Sequence, residues 1–417
     1  MRKVLLVLFC LVTLSVYLAR VATIFRAQSL ADSTQGENRI TDLDRAIRIA
    51  PDDAEFPNLL GLRLSASHQE SNPENGRALD NLRKAVALNP NRAHYWLDLA
   101  SLYQVMHDVK QEHQAVESAL NAEPENPEIM QEAAELLLSG NPDRAFPLFK
   151  QALEKNPEAG ATIIPVCWTQ TRDTNLILSR VIPANPELQL AFLRLLAEQR
   201  DSESAAAVWQ FIVAARKPFP SQLSFFYFDY LLKEQDAAGF DRGWHDLAGL
   251  APEIRAYLPN ENQIVNASFE QPLLNSGFDW RHEPAEHIAA GLDERVAHSG
   301  GHSLSLSYDG SPAYDAGWMQ FVPVEASADY DFSAWIKSEN VTTSSGPRIV
   351  LVDAFSGASL LLTDDVLDTH PWHEIKGTLR VPAETQLLAV KIVRAPANTR
   401  IRGRVWIDDL SLTKRRK

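Results

Sequence analysis

The sequence predicts a multidomain chain: an N-terminal transmembrane helix over residues 1–29, an all-α helical repeat over 30–259, and an all-β sandwich over 260–417. Three observations carry this. Val4 to Ala19 are 16 consecutive residues without charge, capped by Arg2 and Lys3. Between about 37 and 258 an apolar-small-apolar pattern recurs ahead of prolines spaced 29 to 39 residues apart. After Pro259 the three-and-four spacing of apolar residues gives way to alternation.

With 417 residues, 45% of them hydrophobic, the chain can bury two or three ordinary cores, which excludes full disorder. Its 54 acidic and 40 basic residues give a formal charge of -14, with no strong basic stripe. That balance argues against nucleic acid, because phosphate binding rests on Lys and Arg. The two cysteines, Cys10 and Cys167, cannot build a disulfide framework.

Counted through to Phe25, the apolar N-terminal segment would form a helix of about 33 Å, enough for a hydrocarbon core of about 30 Å. Neither Ala19 nor Ala22 has a small residue at the offset that a cleavage site requires, so an uncleaved signal anchor is expected over a cleaved signal. The expected location is the bacterial inner membrane, single-pass, with the bulk of the chain exported.

The helical repeat reads Leu43, Ala46, Ile47 before Pro51; Leu82, Ala85, Val86 before Pro90; Val116, Ala119, Leu120 before Pro124; and Phe149, Ala152, Leu153 before Pro157. Weaker copies end at Pro186, Pro218 and Pro252. These offsets share one helix face, and proline stops each helix by lacking an N–H and crowding the preceding turn. Trp96, Leu99, Ala100 and Tyr103, followed by Ala119 and Pro124, resemble the two helices of a tetratricopeptide repeat. The resemblance is strong over 55–157 and weak over 158–258. It implies a right-handed stack of helix pairs with a concave groove that takes a peptide or partner protein. The aromatic run Phe225 to Tyr230 reads as a buried helix or as a partner-binding patch, and Cys167 as a small buried hydrophobe.

In the last part, Leu304, Leu306 and Tyr308 share a face, as do Tyr330, Phe332, Ala334 and Ile336, and Ile375, Gly377, Leu379 and Val381. Further strands are expected at 318–324, 348–353, 387–394 and 404–412, giving a two-sheet antiparallel sandwich or jelly roll. The segments NASFEQP (Asn266, Phe269, Glu270), GFDW (277–280), SGGHSLSL (299–306), YDFSAWIK (330–337) and WIDDLSL (406–412) resemble the jelly-roll carbohydrate-binding modules of families four, nine and twenty-two. That resemblance implies a structural calcium held by Glu270 and by Asp408 or Asp409. Since neighbouring strand residues face opposite ways, one aspartate of the two is expected to bind, and a capped strand end without an ion is the alternative.

Sugar binding needs flat aromatic faces, for which Trp280, Tyr314, Trp318, Trp335 and Trp372 are candidates. Large aromatics in sandwiches are mostly packing, and Trp406 reads as core. Arg400, Arg402 and Arg404 share a strand face, with Arg394 and Arg348 expected nearby, and read either as a solvated edge or as contacts for an anionic ligand. His298 and His302 straddle two glycines, and His370 and His373 flank Pro371, neither a favourable metal spacing. No phosphate loop, nucleophile elbow or zinc motif is found, and Asp364 and Asp365 are adjacent in sequence, which does not make a separated acid and base. A non-enzymatic envelope scaffold is therefore expected, docking a protein through its repeats and a glycan through its sandwich, beside exopolysaccharide or O-antigen assembly or export. The alternative is a protein–protein adaptor whose sandwich is a structural cap, and a glycan-modifying enzyme is third.

Overall fold

The computed structural model describes residues 13–29, apart from 16, 19 and 24, and residues 39–416. Residues 13–29 are helical where described, and among the described residues no helix is long and apolar enough to cross a membrane. Residues 1–12 of the expected anchor lie outside the described residues. The chain forms two compact units, Met1–Leu188 and Gln189–Lys417.

The first unit is built from α1 (Arg39–Ile49), α2 (Glu55–Leu64), α3 (Asn75–Leu88), α4 (Ala93–Val105), α5 (Val109–Ala122), α6 (Pro127–Leu138), α7 (Pro142–Lys155) and α8 (Gly160–Thr171). Side-chain oxygens of Asp108 and Asn126 accept from backbone N–H groups in the first turns of α5 and α6, and Pro127 and Pro142 open their helices where an N–H has no partner to lose. The repeated small residues Ala46, Ala85, Ala119 and Ala152 are fully buried, as close helix approach requires. Gly61 shows the same constraint: a Cβ there would lie 2.6 Å from Leu82 Cγ. Ala119→Trp is accordingly expected to overpack the interface and cost about 1–3 kcal/mol or more, read as a lower melting temperature. An unchanged temperature would place Ala119 on the surface. Beyond α8 the period degrades, and a five-residue π-helical turn, Ile177–Val181, stands where a second helix is expected.

The second unit begins inside α9 (Pro186–Glu198) and continues with α10 (Ser202–Ala215), α11 (Phe225–Lys233) and α12 (Ala237–Leu250) before the sandwich. The first sheet has the order β2-β3-β10-β5-β8 and the second β1-β4-β9-β6-β7. The strands are β1 (Arg281–His282), β2 (Ile288–Asp293), β3 (Ser303–Ala313), β4 (Trp318–Pro323), β5 (Asp329–Thr342), β6 (Pro347–Asp353), β7 (Ser359–Leu362), β8 (Asp368–Arg380), β9 (Leu387–Arg394) and β10 (Thr399–Lys414). All pair antiparallel. Leu304, Leu306 and Tyr308 meet Tyr330, Phe332, Ala334 and Ile336 in one core with Leu388, Val390 and Ile392. Alternation thus delivers the faces it predicts.

The helices and the sandwich share an aromatic seam. Phe240 meets Phe278 at 5.0 Å and Phe321 at 6.3 Å between ring centroids, both edge-on, and Trp244 meets Phe228 at 4.9 Å. Tyr227, Phe228 and Tyr230 of the aromatic run are buried, as the packing reading of that run expects. At Gly277, φ is +58° and a Cβ would fall 2.2 Å from the Trp244 ring, so only glycine serves. Asp279 beside it is wholly buried, accepting from Leu274 N at 2.6 Å and Asn266 Nδ2 at 3.3 Å, and burial pushes its carboxyl up to about 6. The native state therefore holds a proton that the unfolded chain has already released between pH of about 4 and that value, so stability should fall as pH rises through this window. Asp279→Asn should flatten that slope in urea denaturation. An unchanged slope would assign it to other groups.

Candidate functional site

The loop between β2 and β3 folds over the outer face of the first sheet and is pinned there by β10. Asp408 Oδ2 accepts from His298 N at 2.7 Å and Ser299 N at 3.2 Å, while its Oδ1 accepts from Asp409 N. Asp409 Oδ2 lies 2.6 Å from His298 Nδ1, and its Oδ1 accepts from the Ser268 and Ser299 hydroxyls. Both aspartates reach the same loop because the β10–β5 register breaks between Asp408 and Ser411, with Asp409 at φ +44°. The expectation that they face opposite ways is corrected by this irregularity. Burial raises the Asp408 carboxyl. Asp409 is also desolvated, but hydrogen bonds from His298, Ser268 and Ser299 hold it below its usual range.

So held, the His298 imidazole stacks on Trp335 at 3.8 Å and 13°, with Trp372 at 5.6 Å and 63°. The three rings make a corner on the sheet surface, with both indoles half-buried. Trp335 stands opposite Asp408 and Glu374 in register. One step along the strands, Trp406 lies beneath Lys337 Nζ at 5.2 Å and Arg404 Cζ at 5.7 Å, and donates to Asp293 Oδ2 at 2.9 Å. Exposed Arg402 and Arg400 continue the same strand away from the corner.

Trp335, Trp372, Asp408 and Asp409 are thus brought together, with Arg404 on the same strand as the aspartates. Three other candidates are placed elsewhere. Trp280 is 0% and Trp318 2% exposed, and both pack in the sandwich core around Phe269, so neither offers a face to a sugar. Tyr314 is 63% exposed, on the connection beside Ala313, which pairs with Thr399 at the far end of β10. Arg394 is buried, not part of the arginine row, and Arg348 pairs with Asp365 at 3.6 Å. Sequence reasoning missed His298, considered there only as a metal ligand. The available signal was its place in a Ser-Gly-Gly loop entering β3.

The calcium set implied by resemblance does not fit these residues as arranged. Glu270 Oε1 accepts from Gly301 N at 2.7 Å and His302 N at 3.0 Å, and its Oε2 lies 3.0 Å from His302 Nδ1. The aspartate oxygens are occupied by N–H and O–H donors in the same way. A cation facing these carboxylates would meet hydrogens, and among the described residues no group of three or more His, Cys, Asp or Glu is placed to hold a metal. Glu270, Asp408 and Asp409 instead hold the two halves of one loop.

No family model matches the sequence. Similar solved structures include a family 4 carbohydrate-binding module, 13% identical over 36% of this chain and 99% of that one, with a TM-score of 0.29. A family 61 module in complex with β-1,4-galactotriose is 18% identical over 37% of this chain and all of that one, also at 0.29. MamA is 23% identical over 33% of this chain and 77% of that one, at 0.28.

Proposed function

We propose that this chain is a non-enzymatic binding protein, anchored through its N-terminal apolar stretch, whose sandwich takes a carbohydrate and whose helical repeat takes a protein segment. The observation that carries the glycan half is the corner of His298, Trp335 and Trp372. Aromatic faces match the apolar side of a pyranose ring, and the adjoining Lys337, Glu374 and Arg404 supply donors and acceptors for hydroxyls. Preorganisation supports the same reading, since Asp409 holds the imidazole and Asp408 the His298 backbone before any ligand arrives.

The test is glycan-array binding by the whole protein and its Trp372→Ala variant. Trp372 is half-exposed, so its loss should leave melting nearly unchanged while weakening glycan binding at least tenfold. Undiminished binding by the variant, or none by the parent, would remove the glycan reading. The adaptor reading has its own support in the aromatic seam, which builds the sandwich into the last helices.

A further inference from the structure

Between α11 and the β1-β4-β9 edge of the second sheet lies a cavity of about 640 Å³. Its lining residues carry four buried nitrogens without a hydrogen-bond partner: Arg281 Nε and Nη2, His282 Nε2 and Trp318 Nε1. Buried donors in native proteins are paired, and leaving one unmade costs its full desolvation. Four in the lining residues of one cavity point to an acceptor that arrives from outside the chain.

The arrangement specifies that acceptor. Arg281 Nη1 is committed to Asp229 Oδ1 at 2.7 Å, and the guanidinium lies over the Phe321 ring, its Cζ 5.4 Å from the centroid. Both contacts fix the plane and leave free the edge bearing Nε and Nη2. Those two N–H groups are parallel and spaced to meet both oxygens of a carboxylate. His282 stacks on Trp318 at 4.7 Å and 26°, which holds a second pair of ring nitrogens against the same cavity. Burial keeps the imidazole below its ordinary value, hence neutral near pH 7 and able to donate from one nitrogen. Lys233 and Lys391 balance Glu283 and Asp315 on the same lining, Asp315 already accepting from Arg394 N and Asp229 from Arg281, and Phe321 offers an apolar wall.

We propose that this cavity binds a small carboxylate with a ring-shaped or apolar body, its carboxylate on the Nε–Nη2 edge of Arg281 and a further acceptor on Trp318 Nε1. The site shares no residue with the Trp335–Trp372 corner.

Titration calorimetry on the full chain with benzoate, D-glucuronate, benzamide and inorganic phosphate tests it. At least one of the two carboxylates should bind, with benzamide and phosphate at least tenfold weaker. Arg281→Lys keeps the charge but loses the fork, and should weaken carboxylate binding at least tenfold. Trp318→Phe removes the indole N–H together with part of the ring and should weaken it severalfold, whereas Trp372→Ala should have no effect. Should Arg281→Lys disturb folding, the indole N–H resonance of Trp318 in the parent, assigned through Trp318→Phe, must shift on adding carboxylate. A resonance that stays still, carboxylate binding unchanged in both variants, phosphate bound more tightly than either carboxylate, or no carboxylate binding to the parent would overturn the proposal.

Discussion

Replacing Trp244 by alanine should destabilise the Gln189–Lys417 unit by about 3–5 kcal/mol, the usual cost of deleting a fully buried large aromatic. Trp244 is wholly buried, meets Phe228 edge-on, fills the space that Gly277 leaves open, and donates from Nε1 to Tyr257 O at 3.0 Å. Its loss opens a cavity and strands a carbonyl acceptor together. Because Gly277 leads into the β1 edge, the damage should reach the sandwich as well as the helices. Urea denaturation followed by both helical and β-sheet signals should show the two falling together. A loss below about 1 kcal/mol, well under the range for such truncations, or a change confined to the helical signal, would mean that the seam is not part of one cooperative core.

A comparable loss is expected from Arg394→Met. The guanidinium is buried at the end of β9, donating to Ser345 O at 2.9 Å, Thr399 O at 3.0 Å, Thr399 Oγ1 at 2.7 Å, and also to Ala313 O. It therefore ties three connections of the sandwich together: β3–β4, β5–β6 and β9–β10. Methionine fills similar volume but removes all of these charged donors, leaving Ala313 O with only Asn398 N and Ser345 O with only the Thr343 hydroxyl. At about 1.5–3 kcal/mol for each hydrogen bond to a charged group, the expected cost is about 3–5 kcal/mol after partial relaxation. Arg394→Lys should recover little of it, since one ammonium cannot reach all of these acceptors at once. Full recovery by lysine would show that charge, and not the forked geometry, is what the site uses.

Much of this architecture is legible in the sequence because it rests on periodicity. Ala46, Ala85, Ala119 and Ala152 mark helix contacts by their size and spacing, and the alternating faces of β3 and β5 follow from a period of two. What escapes is whatever breaks a period. The irregularity after Asp408 turns two neighbouring carboxylates onto one loop, yet Asp409 is not a glycine and gives no sign of its positive φ. Nothing in the residue type separates Trp280 and Trp318 from Trp372, and only the folded chain shows that both pack against Phe269 and each other. The aromatic seam is equally hidden, since Phe278 and Phe321 satisfy strand and turn patterns whether or not a helix covers them.

The position of β10 has a consequence for biosynthesis. This strand follows every other strand of the sandwich in the chain, yet it lies inside the first sheet, between β3 and β5. Asn262 at the start of the domain is tied to its far end, donating from Nδ2 to Leu410 O and accepting from Leu412 N. Until β10 leaves the ribosome, β2-β3 and β5-β8 are two separate antiparallel pairs, each exposing an open edge to other chains. The helices of Met1–Leu188 rely on contacts close in sequence and can form as they emerge, whereas the sandwich must wait for its last strand. During that interval the nascent protein is a folded repeat trailing an unfinished sheet, the state in which chaperone binding or premature termination would matter most.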